Sequence, residues 1–166
     1  MAASETQYIL PAPRFDKPVK LLIVVAPYYK DITDQMVAGA RAAALACGAL
    51  VDLIEVPGAL EVPTAIGMAE RLAKFDGYVA LGCVIRGETT HYDTVCNDSS
   101  NGLMLLGLQG SAIGNGILTV ENREQAVVRA DASGQNKGGA AAMAALHLIA
   151  LQRTWAGQTK GIGFRP

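Results

Sequence analysis

The chain has 166 residues, enough for one domain with a substantial core. Half of it is apolar (51%), few residues are aromatic (5%) and the net charge is −1, so neither a nucleic-acid footprint nor an anionic membrane surface is indicated. No apolar run reaches the ~20 residues that span a bilayer, and the N-terminus lacks the basic and apolar segments of a signal peptide, which makes the cytoplasm the expected location. The three cysteines, Cys47, Cys83 and Cys96, match neither a zinc site nor a Cys-x-x-Cys pair and read as reduced, mostly buried thiols.

Residues 1–18 are polar, carry Pro11, Pro13 and Pro18, and read as an extended arm outside the core. Residues 20–26 are β-branched and apolar without alternation, the pattern of a strand buried on both faces. Residues 31–47 repeat at helical spacing, with Ile32, Met36, Val37, Ala40, Ala44 and Leu45 on one side and Gly48 as a stop. A second strand covers 50–56 and a second helix 60–74, which puts Pro63 in its first turn. A third strand at 78–85 leads into a third helix at 91–108. A fourth strand covers 113–120, a short helix 124–130, and a long alanine-rich helix 136–155. The tail from 157 to 166 reads as flexible, leaving 19–156 as the domain. Alternating strands and helices predict right-handed β-α-β units, a four-stranded parallel sheet and a three-layer α/β/α sandwich. Ligands of such sheets bind beyond the carboxyl ends of the strands.

That edge gathers the chemistry. Residues 82–91, Gly-Cys-Val-Ile-Arg-Gly-Glu-Thr-Thr-His, run from a buried strand through a donor-rich turn into a helix. Backbone N–H groups and the positive end of the helix dipole would face an anion there, with His91 beside it as a group able to take and return a proton near neutral pH. A phosphate seat with an acid/base group next to it predicts an enzyme acting on a small phosphorylated molecule. After the first strand, Tyr28 and Tyr29 either stack on a planar ring or simply pack the loop. After the second, Gly58 allows close backbone approach, and Glu61 either caps the helix or accepts from substrate hydroxyls. Arg86 beside the anion seat reads as a structural ion pair that holds the loop. Asn136 is a good N-cap, which puts Lys137 in a first turn whose dipole opposes a cation. A bound anion would remove the conflict; a solvated lysine is the plainer alternative. His147 lies among alanines and leucines and reads as packing, and with only His91 besides it no histidine-based metal site is expected. Neither dinucleotide, Walker nor nucleophile-elbow motifs occur.

Four blocks, in order and spacing, carry a resemblance: Pro57-Gly-Ala-Leu-Glu-Val-Pro63, Leu81-Gly-Cys-Val-Ile-Arg-Gly-Glu-Thr-Thr-His-Tyr92, Gly116-Ile-Leu-Thr-Val-Glu-Asn-Arg-Glu-Gln-Ala126 and Asn136-Lys-Gly138. Over residues 19–153 the chain closely resembles the 6,7-dimethyl-8-ribityllumazine synthase family. The resemblance implies a flavodoxin-like fold. It also implies the condensation of 5-amino-6-(D-ribitylamino)uracil with 3,4-dihydroxy-2-butanone 4-phosphate, without a metal or organic cofactor. By the same resemblance, Tyr28 stacks on the pyrimidine. Ala59, Leu60 and Glu61 line the ribityl pocket, and Cys83, Val84 and Ile85 meet the pyrimidine edge. Glu88 and Thr89 hold the phosphate, largely through backbone N–H groups. His91 shuttles protons, Arg129 binds the phosphate and Lys137 supports that region. The fourth-strand residue and the arginine come from a neighbouring subunit. Tyr28 replaces the usual phenylalanine, and Asn115 stands where many members carry phenylalanine against the ring.

The family builds homopentamers, some packed further into a hollow shell, and its N-terminal arm adds a strand to a neighbour's sheet. The prolines of this arm favour the pentamer. A non-catalytic flavin- or lumazine-binding paralogue, or a shell-forming protein, is the alternative; the first predicts loss of His91 or of the phosphate cations, yet His91, Arg129 and Lys137 are all present.

Overall fold

A computed structural model describes residues 7–160. Four strands, β1 (Lys20–Val25), β2 (Leu50–Glu55), β3 (Gly77–Ile85) and β4 (Ile113–Val120), form one parallel sheet in the order β2-β1-β3-β4. Helices α1 (Lys30–Ala46), α4 (Arg123–Ala130) and α5 (Lys137–Lys160) cover one face, and α2 (Glu61–Leu72) and α3 (His91–Leu108) the other. The result is the expected three-layer sandwich. Central β1 shows why its sequence lacks alternation: Leu21, Ile23 and Val25 enter the core beneath α1 and α5, while Leu22, Val24 and Ala26 enter the one beneath α2 and α3. The register pairs Val25 with both Glu55 and Leu81, and Ile85 with Val120, so the strand ends converge at one edge of the sheet.

Several boundaries differ from the periodicity. Helix α2 starts at Glu61 and stops at Leu72, because Ala73 turns extended (φ −125°, ψ 179°). Leu45 lies outside the buried stripe of α1 and is 64% exposed, while Thr33 and Gly39 lie within it. Gly39 belongs there because α5 crosses so closely that an added Cβ would strike the Asn136 side chain. Helix α5 begins at Lys137 and continues through Gly157 to Lys160 rather than loosening there. An exposed helical glycine costs only about 1 kcal/mol relative to alanine and does not by itself end a helix. The rest of the expected tail, 161–166, and the start of the arm, 1–6, lie outside the described residues. From residue 7 the arm runs without regular structure to Pro18, with Tyr8, Ile9 and Leu10 exposed. Its root is held by Arg153 on α5, which donates to the carbonyls of Lys17 and Pro18, each at 2.8 Å. Cys83 is buried, whereas Cys47 and Cys96 are only half-buried, and all three are unpaired thiols.

Candidate active site

The order β2-β1-β3 makes β1 and β3 the switch point of the sheet, where chain connections leave in opposite directions and a crevice opens. A cleft of about 450 Å³ lies there. Its walls come from the loops after β1, β2 and β3 and from the first turns of α3.

On the first loop, Tyr29 packs against the core and its carbonyl accepts the N–H groups of Ile32 and Thr33. Tyr28 meets it edge to face (centroids 5.0 Å apart, 72°) and is 75% exposed. Tyr29 thus packs the loop, and both tyrosines line the cleft, Tyr28 the more exposed of the two. On the second loop, Ala59 is buried and Leu60 half-buried. The N-cap of α2, Leu60, makes no side-chain hydrogen bond, and the Glu61 carboxylate lies over Gly58, where an added Cβ would sit 3.0 Å from Oε2. Glu61 lines the cleft at the first position of α2.

Cys83, Val84 and Ile85 form the floor. Burial pushes the Cys83 thiol up to about 11, so at neutral pH it is a protonated, non-nucleophilic surface. Beyond them, none of the described residues accepts from the backbone N–H groups of Gly87, Glu88, Thr89 or Thr90. Four donors at the positive end of α3 are the equipment of an anion seat. Thr89 Oγ accepts from the His91 N–H at 3.3 Å and so fixes the start of the helix. His91 and Val95, one turn apart, both face the cleft with Tyr92 between them. Glu88 is exposed and lies outside the cleft lining, between Gly87 and Thr89, which line it.

Arg86 turns away from the cleft. Its Nε donates to Glu121 at 2.7 Å, Nη1 reaches Asp93 at 3.5 Å, and the guanidinium carbon lies 4.2 Å from the Tyr92 ring centre. This is the loop-holding ion pair that the sequence suggests. A second ion pair joins Arg123, at the start of α4, to Asp31, at the start of α1, and holds the Asp31 carboxyl below its ordinary value.

The remaining predicted residues lie elsewhere. Asn115, Arg129 and Lys137 line a separate groove of about 350 Å³ between β4 and α5, together with Thr119 and the small residues Gly116, Ala140, Ala141 and Ala144. Arg129 is half-buried and donates to the Gln125 carbonyl at 3.0 Å in the last turn of α4, where the dipole suits a cation. Asn136 adopts φ +48° and its Oδ1 accepts the Gly139 N–H at 3.0 Å, capping α5 and putting Lys137 on the first turn. Asn115 Oδ1 accepts from the Ile117 N–H at 3.0 Å, on the side of β4 that no strand covers. One chain thus carries the open N–H groups of residues 87–90 and the pair Arg129 and Lys137 on two different surfaces. Gly87, Tyr92 and Val95 escaped the sequence reading; the helical spacing from His91 is the signal that reveals Val95. Among the described residues no three His, Cys, Asp or Glu side chains gather as metal ligands, and His147 is half-buried on α5. No described helix is long and apolar enough to cross a membrane.

A model of the 6,7-dimethyl-8-ribityllumazine synthase family matches residues 18–153. The chain belongs to that family. Among its relatives of that name, the protein of Jannaschia sp. (strain CCS1) is 58% identical over 154 residues, covering 93% of this chain and 86% of the relative. That of Novosphingobium aromaticivorans is 54% identical over 136 residues (82% and 98%), and 6,7-dimethyl-8-ribityllumazine synthase 1 of Rhizobium meliloti is 54% identical over 143 residues (82% and 94%). The chain is accordingly a transferase of riboflavin biosynthesis, and its reaction is the condensation that gives 6,7-dimethyl-8-ribityllumazine, the penultimate step of that route.

Proposed function

We propose that the cleft of one subunit and the β4–α5 groove of a neighbour close on each other to form each complete site. The observation that carries this reading is the separation of the unfilled donors of residues 87–90 from Arg129 and Lys137, which line no part of the cleft. In the assembled site, Tyr28 stacks on the pyrimidine, and the backbone around Cys83, Val84 and Ile85 meets its edge. Glu61 accepts from the ribityl hydroxyls beside Ala59 and Leu60. The butanone phosphate sits on the N–H groups of Glu88 and Thr89 and the Thr89 hydroxyl. The neighbour's Arg129 and Lys137 complete its charge. Asn115 of that neighbour approaches the ring with backbone and with its amide NH₂, since its oxygen is already engaged. The amine attacks the ketone and loses water to give an imine, phosphate is eliminated to leave an enol that tautomerises to a second ketone, and the ribityl-bearing nitrogen closes the ring on that ketone with loss of a second water. His91 carries the protons for these steps, which otherwise need mainly positioning.

The same reading makes the protein a homo-oligomer, with a pentamer favoured over a shell because Pro11, Pro13 and Pro18 weaken strand pairing by the arm. It places the enzyme in the cytoplasm, where thiols such as the three unpaired cysteines stay reduced. The direct test mixes the purified protein with both substrates and follows lumazine formation by absorbance. Turnover well above the spontaneous condensation is expected; a rate equal to that background would overturn the assignment.

A further inference from the structure

We propose that Arg86 and Glu121 act as a positioning pair that sets the His91 turn for proton transfer, an inference that rests on the site assigned above. Thr90, the N-cap of α3, supplies no side-chain hydrogen bond, so the turn that begins with His91 lacks the usual tether. Thr89 Oγ supplies one restraint. Arg86 supplies the others: the two residues that follow His91, Tyr92 and Asp93, are both held by its guanidinium, one beneath the plane and one at Nη1. The far side of the same fork is fixed to Glu121 at 2.7 Å. Exposed ion pairs contribute little to stability, and these side chains are 41 to 58% exposed. What a planar guanidinium at the end of β3 does supply is simultaneous contact with partners on two other parts of the fold, the start of α3 and the residue that follows β4. Glu121 also leads directly to Asn122, which caps α4, the helix that carries Arg129. The pair therefore fixes the proton carrier relative to the framework of the sheet. Both guanidinium nitrogens with ion-pair partners face Glu121 and Asp93, and Arg86 and Glu121 lie outside the cleft lining, so the pair acts through His91.

The test is steady-state kinetics on the assembled enzyme for Arg86→Ala, Glu121→Gln, the double variant and Arg86→Lys. Small displacements of a catalytic group are costly in rate, so Arg86→Ala is expected to lower kcat by about tenfold or more and Glu121→Gln by about threefold, with both KM values within about twofold of wild type. The double variant is expected to be no worse than Arg86→Ala alone, because both substitutions break one contact. Arg86→Lys recovers part of kcat by keeping the charge on Glu121 while losing the flat contact with Tyr92. Unchanged kcat in Glu121→Gln and Arg86→Lys, additive losses, or a loss confined to KM would each overturn the proposal. If Arg86→Ala does not fold, Glu121→Gln and Arg86→Lys decide it alone. An inactive wild type would refute the site assignment; an active wild type with unaffected variants would refute only the positioning pair.

Discussion

On the proposed assignment, His91 and Arg129 divide the labour between rate and affinity. As the proposed proton carrier, His91 governs turnover, so His91→Ala is expected to lower kcat by about 10²- to 10⁴-fold with little change in either KM. Arg129 supplies a charge-assisted bond, so Arg129→Ala is expected to raise the KM for the butanone phosphate by about ten- to a hundredfold and to spare that of the pyrimidine. Steady-state kinetics with each substrate varied in turn checks both. Cys83 behaves differently. Its raised value predicts slow alkylation by iodoacetamide at pH 7.5, accelerating towards pH 11, against fast reaction in the unfolded chain. Because the folded state holds this proton more tightly, the associated stability is complete below about pH 9 and is lost as pH rises through about 11. A Cys83→Ala variant is therefore expected to show a shallower alkaline decline in denaturation midpoints. At this scale the sequence identified residue types but left roles open. Whether Glu61 caps or accepts, and whether Tyr28 stacks or fills, depends on where Gly58 and Tyr29 put them, which no local pattern encodes. Tyr92 and Arg123 were invisible, since their importance depends on how α3 and α4 are turned against the strand ends.

Elements were more legible than side chains, because a buried parallel strand and an amphipathic helix advertise themselves through burial. Boundaries were not, since Gly157 and Lys74 give no local reason to stop or continue a helix that packing decides. The crossing of α1 and α5 is the contact on which the groove depends, for it sets Asn136 and Lys137 beside β4. A Cβ at Gly138 would lie 2.1 Å from the Met36 carbonyl oxygen, backbone that cannot swing aside. Gly138→Ala is thus expected to cost about 2 kcal/mol or more in urea denaturation and to weaken phosphate binding with it. Gly157→Ala, in the same helix but with open space around it, is expected to be neutral or stabilising by up to about 1 kcal/mol.

At the level of the whole molecule, a site shared between neighbours makes a prediction that no single-chain site makes. His91→Ala and Arg129→Ala chains are unfolded, mixed in equal amounts, reassembled and assayed with the butanone phosphate well below the KM of the Arg129→Ala variant, where each chain alone turns over little. A ring of head-to-tail contacts gives about one interface in four with both wild-type residues, so activity is expected to return to roughly a quarter of normal. No recovery in the mixed assembly would show that His91 and Arg129 act within one chain. Sedimentation is expected to show a particle of five 17.3 kDa chains. The four motif blocks made the fold and reaction readable from the sequence, and with them the expectation of residues from a neighbour; the physical separation of cleft and groove within one chain is read from the sheet order. Such an assembly must bring copies together at β4 without letting their sheets fuse. There Asn115 does a second service: by occupying the Ile117 N–H, it withholds a donor from any incoming strand. An edge strand with one donor already engaged is a poorer template for another chain's strand, which suits the closed assembly proposed above better than an open fibre.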